Sequence, residues 1–304
     1  MTDYGHDLLF GTFTTPRAQP PMHAVDLAVV ADRAGLDLVT FQDHPYQPAF
    51  HDTWTLLSYV ASRTERVHVT GNVLNLPLRQ PAVLARAAAS LDLLSGGRIE
   101  MGIGAGAFWD GIVAMGGRRL TPGQSITALE EAIHIMRELW NTDERGGVRF
   151  EGEHYRIKGA KRGPKPAHDI GIWIGAYKPR ILRMTGRTGD GWLPSLGYLQ
   201  GGPADIGEMN RHIDEGATEA GRDPAAVRRL LNISGRFASS GGSLLVGPPQ
   251  QWAEELAEMT MLYGVTGFIL AADDAYSIET FAAEVAPATR ELVAKERSGR
   301  SASV

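Results

Sequence analysis

Residues 64–106, TERVHVTGNVLNLPLRQPAVLARAAASLDLLSGGRIEMGIGAG, hold the pattern that decides the fold. A short Val-containing run at 67–71 is followed by a segment in which Pro81 sits where a helix begins, its fixed φ tolerated and its missing N–H no loss. A second apolar run at 99–103 then closes a strand, helix, strand unit of the kind that builds parallel sheets. Working outward, the runs at 8–13, 36–42, 171–174, 191–193, 229–233 and 267–270 repeat the motif, which brings the strands to eight. Between them, Ile126, Leu129, Ile133, Met136 and Trp140 recur at helical spacing and share one face, as do Trp252, Leu256, Met259 and Tyr263. Pro122 and Pro224 mark two further helix starts.

Eight strands with alternating helices in 304 residues predict an α/β fold, a (β/α)8 TIM barrel, rather than an open sheet broken into two lobes. A single barrel domain is expected over 1–296. Residues 141–169 exceed an ordinary loop of about 2–6 residues, and VRFEGEHYRI alternates around Glu151-Gly152 like a small hairpin. This segment is read as an insertion between helix 4 and strand 5. The stretch 297–304 reads as a disordered tail.

Composition bounds the chemistry. The chain has no cysteine, so thiolate nucleophiles, disulfides and Cys-based metal sites are excluded. A net charge of −5 with both signs dispersed offers no basic stripe, and nucleic acid is not an expected partner. The N-terminal residues lack a signal-peptide pattern and no uncharged apolar run reaches the ~18 residues of a membrane span, so a soluble, cytoplasmic protein without a membrane partner is expected.

In such a barrel the functional residues lie at the carboxyl ends of the strands. Asp43-His44 follows strand 2 and places an imidazole able to move a proton near neutral pH at the mouth, although a loop hydrogen bond explains the pair equally. GIGAGAFWDG follows strand 4. Its Phe108 and Trp109 suit either buried core or a planar ligand. GAYKPRILR follows strand 5, where Lys178, Arg180 and Arg183 crowd a helix N-terminus; an anionic ligand or a solvated basic face accounts for them. Without H-x-x-x-H or HExxH spacing, no metal site is expected, and without GxxxxGK[ST] or G-x-S-x-G neither nucleotide hydrolysis nor serine acyl transfer is indicated.

Taken in order, GLDLVTFQDH, the 64–106 stretch, VRFEGEHYRIKGA and GIWIGAYKPRILRMTGRTGDGW resemble the luciferase-like flavin and deazaflavin oxidoreductases over nearly the whole chain. The resemblance implies a flavin-type ring in the barrel mouth and an FMN or coenzyme F-420 (deazaflavin) cofactor, the Asp-His pair favouring F-420. It implies His44 as proton donor or acceptor. Cofactor contacts would come from Asp43, Asn72, Val73, Asn75, Ala105, Gly106 and Asp110, with the phosphate tail held by Gly175, Ala176, Tyr177, Lys178, Arg180 and Ile181. It also implies a non-prolyl cis peptide joining Asn72 to Val73, and a homodimer.

Two departures stand out. Sugar-phosphate dehydrogenases of this branch carry a catalytic glutamate where this chain has Ala107, and the phosphate loop has Tyr177-Lys178 where a glycine pair is common. With Phe13, Tyr46, Phe108 and Trp109 lining the mouth, the expected reaction is hydride transfer from reduced F-420 to a hydrophobic organic substrate. The alternatives are an FMN-dependent two-component monooxygenase served by a separate reductase, and a non-catalytic flavin-binding protein.

Overall fold

The computed structural model describes residues 3–301. Eight parallel strands alternate with helices: β1 (Leu9–Thr14), β2 (Leu38–Phe41), β3 (His68–Gly71, resuming at Leu74–Asn75), β4 (Met101–Gly104), β5 (Ile172–Ile174), β6 (Gly191–Trp192), β7 (Arg228–Ile233) and β8 (Gly267–Ala271). Each of the eight expected runs is a strand. Neighbours in sequence are neighbours in space, β1 pairing β2 with Gly11 opposite Leu38 and β8 with Leu9 opposite Gly267. The circle closes between β3 and β4, where Leu74 lies opposite Ile103 and Val69 bridges Ile99. This is the (β/α)8 barrel.

Strands in such a sheet are covered on both faces, so they read as continuous apolar runs: every residue of LVTF in β2, MGIG in β4 and IWI in β5 is buried. Leu38, Trp173, Leu193, Leu230 and Ile269 fill the barrel interior, with Phe13 and Val73 packed on them. Outside run α1 (His23–Ala34), α2 (Thr53–Ala61), α3 (Pro81–Ser95), α4 (Pro122–Trp140), α5 (Pro179–Thr188), α6 (Asp205–Glu219), α7 (Pro249–Tyr263) and α8. The last begins at Ala275–Thr280, passes through a π turn at Phe281–Val285 and continues as Ala286–Ser301. Pro122 opens α4 behind a reciprocal capping box between Thr121 and Gln124.

Two expectations need correction. Pro224 starts only a 3-10 turn, Pro224–Ala226, because the chain must re-enter the sheet at Arg228. The stretch expected as a disordered tail at 297–304 is helical through Ser301: Arg297 donates to the Asp3 carboxylate and the His6 carbonyl, tying the last helix to the N-terminal segment. Residues 302–304 lie outside the described residues.

Between α4 and β5 the chain leaves the barrel as an antiparallel hairpin, Gly147–Glu151 against Arg156–Lys161. Its turn is held to α4 by Glu131, whose carboxylate accepts from the backbone N–H groups of Glu153, His154 and Tyr155. His154 therefore sits in the turn of this hairpin. Among the described residues no helix is long and apolar enough to cross a membrane.

Candidate active site

Beyond Phe41 the chain turns out of β2 and presents Asp43, His44 and Tyr46 at the carboxyl end of the barrel. Asp43 is 2% exposed, and its carboxylate is already engaged. It accepts from Asn75 N–H at 2.8 Å and forms a two-pronged pair with Arg79, Nε at 2.6 Å and Nη2 at 2.7 Å. Burial works against the Arg79 charge, but Asp43 and then Asp52 outweigh it and hold the guanidinium above its ordinary value. The Asp43 carboxylate locks the loop after β2 to the end of β3.

His44 is half-buried. Its Nδ1 lies 2.6 Å from the Tyr46 hydroxyl, and its ring meets Phe108 edge-on at 5.1 Å. Burial lowers the His44 pKa from its ordinary 6.5, with the Asp43 charge opposing, so the ring is neutral at pH 7. Burial, and secondarily Asp43, push Tyr46 up to about 12, so its hydroxyl stays protonated at neutral pH. When Nδ1–H donates to that hydroxyl oxygen, Nε2 is the bare acceptor; when the hydroxyl donates to Nδ1, Nε2 carries the N–H. A half-buried neutral imidazole held in this way is suited to exchanging a proton with a bound molecule.

The wall behind Tyr46 is glycine for a steric reason. A Cβ at Gly111, in the short helix Trp109–Ala114, would lie 2.7 Å from the Tyr46 ring. We expect Gly111→Ala to push Tyr46 off His44 and to cost about 1–3 kcal/mol of stability from overpacking. Chemical denaturation reads the stability, and loss of the Tyr46–His44 contact in a crystal structure of the variant reads the displacement.

Strand β3 is interrupted between Gly71 and Leu74, and Asn72 joins Val73 through a cis peptide. Val73 projects between β4 and β5, where a Cβ on Gly104 would lie 2.7 Å from it and one on Gly175 3.2 Å. Both Asn72 amide N–H groups are used, donating to Thr40 and Asn232, and its oxygen accepts from Asn232 at 3.0 Å. Asn232 also donates to Ser195 Oγ, and Ser195 N–H donates to the Tyr177 hydroxyl at 2.8 Å, so one chain of bonds links the β3 break to the loop after β5. Asn75 differs, since its buried side-chain oxygen has no hydrogen-bond partner.

Ala105 packs half-buried at the end of β4, and Gly106 takes a positive φ of 95°, with Pro77 and Trp109 against it. Phe108 is 57% exposed and gathers with His44 and Tyr46, whereas Trp109 faces Pro77 and Gly106. Phe13 lines a cleft of about 160 Å³ with Thr15, Gln42, Ala271, Ala272 and Asp273. Larger hollows lie on the outer helices, away from these polar groups. The Asp110 carboxylate is 99% exposed and pairs with Arg119.

After β5, Gly175 leads into α5, whose N-terminus has no side-chain cap. Lys178 and Arg180 are exposed there, while Ala176 and Ile181 bury their side chains and offer only backbone. The Ala176 carbonyl is taken by Trp192 Nε1 at 2.9 Å. Uncapped N–H groups beside two cations suit an anion. Among the residues missed from sequence, Asn232 had a readable signal, a polar residue in the apolar run of β7, whereas Arg79 follows the 3-10 turn Leu76–Leu78 beside Gln80 and gave none. Ser195 had none.

Comparison with known proteins agrees with this architecture. The luciferase-like monooxygenase family matches residues 5–239, and the chain belongs to that family. F420-dependent glucose-6-phosphate dehydrogenase from Gordonia bronchialis is 34% identical over 221 residues, 70% of this chain and 64% of that protein. The Nocardia farcinica protein of the same name is 33% identical over 236 residues, 75% of this chain and 68% of that protein. The match thus spans 64% of the length of the first of these relatives. Among solved structures, an F420-dependent secondary alcohol dehydrogenase in complex with an F420-acetone adduct superposes with a TM-score of 0.81 at 20% identity, covering 93% of this chain and 99% of that one. A coenzyme F420-dependent tetrahydromethanopterin reductase from Methanopyrus kandleri gives 0.77 at 20% identity, over 93% and 99%. These two show the fold.

Proposed function

We propose that this protein is a coenzyme F-420-dependent oxidoreductase that acts on a hydrophobic organic substrate, with His44 as the proton-exchanging group. The observation that carries it is the half-buried His44, held by Tyr46 at the carboxyl end of a barrel whose β5–α5 turn suits an anion. The curated relatives named for F-420 support the choice of cofactor.

The residues present fit such a group. Asn75 Oδ1 is a buried acceptor without a donor, and flavins and deazaflavins carry an imide N–H of the kind it lacks. Lys178, Arg180 and the first free N–H groups of α5 would hold the phosphate, and the break at Asn72–Val73 would lie against the ring. When bound, the deazaflavin supplies or takes the hydride. The chain's own residues do the rest: His44 exchanges the proton through Nε2, Tyr46 fixes its orientation, and Phe108 shields the pair from water.

Ala107 brings no second acid or base to the mouth, and Phe108, Val113 and Met115 present apolar surface beside it. This supports an apolar substrate over a sugar phosphate. The test combines fluorescence quenching by F-420 and by FMN with turnover of cyclic enones, imines, secondary alcohols and glucose 6-phosphate. Quenching by F-420 and turnover of the apolar panel are expected. Binding of FMN alone shifts the reading to a monooxygenase, and turnover of glucose 6-phosphate alone overturns the substrate class. Lys178→Ala is expected to weaken cofactor affinity about tenfold, the loss of one charge-assisted contact, with the difference shrinking at high salt.

A further inference from the structure

We infer that the foot of the barrel holds a divalent transition-metal site formed by His68, Glu100 and His168. The three come from adjoining strand entries at the end opposite His44: His68 opens β3, Glu100 precedes β4 and His168 precedes β5. One ligand atom of each lies within 4.8 Å of the others. His68 Nδ1 is 3.3 Å and His168 Nε2 is 3.5 Å from the same oxygen, Glu100 Oε1. A tetrahedral ion with bonds of about 2.0–2.1 Å has edges of about 3.3 Å, so the two edges that meet at Glu100 Oε1 already match, and the third lies within 4.8 Å.

The supporting groups are also in place. Glu100 Oε2 accepts from Gly171 N–H at 2.8 Å, leaving Oε1 to face the imidazoles. Asp92, fully buried, sets Oδ1 2.9 Å from the other nitrogen of His168, the position of a carboxylate that orients a ligating ring. Both His168 nitrogens are shielded from solvent, and neither makes a well-directed hydrogen bond. Glu100, with Asp7 and Asp37, acts electrostatically on the Arg228 guanidinium. His68 is 39% exposed, which provides an entry path.

Two imidazoles and one carboxylate suit zinc and its first-row neighbours better than magnesium or calcium, and a tetrahedral ion would keep one position for water. At this end of the barrel the ion fastens β3, β4 and the approach to β5, so its effect is on stability rather than turnover. The site is independent of the cofactor reading.

The test uses the full chain stripped with EDTA and titrated with Co2+, and separately heated with Zn2+ or Mg2+. The expected results are intense visible bands of tetrahedral cobalt saturating at about one ion per chain, and a Tm raised about 5 °C by Zn2+ at a hundredfold excess over Kd, with no response to Mg2+. His68→Ala, which removes a partly exposed ring, should abolish both responses while leaving the Tm in EDTA unchanged. His168→Gln should abolish the cobalt bands as well. The competing arrangement is a metal-free clamp. Glu100 and Asp92 push the His168 imidazole up to about 9 against its burial, and a protonated ring would then bridge the two carboxylates. Absence of cobalt bands and of a zinc response, or responses that persist in both variants, would overturn the metal site in favour of that clamp.

Discussion

Replacing His44 by alanine is expected to lower kcat about 10^2–10^4-fold, the usual contribution of a positioned acid or base, while leaving cofactor affinity unchanged. The expectation follows from what His44 touches, Tyr46 at Nδ1 and Phe108 against the ring, which leaves Nε2 without a protein partner among the hydrogen bonds His44 makes. The sign of the pH dependence is fixed by burial, which lowers the folded pKa from 6.5. In the direction in which His44 accepts a proton, the rate should be flat at pH 7–8 and fall only as pH drops through a value below 6.5. Tyr46→Phe keeps the ring but loses the hydrogen bond, so a loss of about tenfold or less is expected. Steady-state kinetics with matched cofactor titrations separate these outcomes. A His44→Ala enzyme with unchanged kcat removes the residue from the reaction.

The second large effect is structural. Asp43→Ala leaves Arg79 without its main partner in a site where its side chain is only 16% exposed, and frees Asn75 N–H. Breaking a buried pair by removing one member costs about 3–5 kcal/mol, because the remaining charge stays desolvated. Urea unfolding should show that loss, and activity should go with it as the loop bearing His44 detaches from β3. Asp43→Ala combined with Arg79→Met removes both charges and should recover most of the stability without restoring the loop's orientation. A single variant as stable as the wild type would show that Asp43 does not brace the mouth.

The barrel was legible because parallel strands buried on both faces leave uninterrupted apolar runs, and eight of them stand out from 67–71 outward. Local sterics also showed: Pro81 and Pro122 each open a helix, while Pro224 opens only a 3-10 turn. What the sequence concealed was which protein groups these polar residues meet. Asp43, Asn72 and Asp110 look alike on the page, yet one is locked to Arg79, one is paired with Asn232, 160 positions away, and one lies in solvent. Such pairings depend on three-dimensional closure, which spacing along the chain does not record. The same holds for His68, Glu100 and His168. A search for regular histidine spacing passes over them because each enters from a different strand. The terminal segment misled because small and polar residues suggest disorder, whereas Arg297 has a carboxylate and a carbonyl waiting at the N-terminal segment.

A crystal of the protein soaked with oxidised coenzyme F-420 examines the main proposition most directly. The account predicts density for a planar ring against Asn72–Val73, with the Asn75 oxygen accepting from it, His44 within hydrogen-bond reach and the phosphate on the Lys178–Ile181 turn. Density bound elsewhere, or a mouth filled by Phe108 and Trp109 at saturating cofactor, would contradict it.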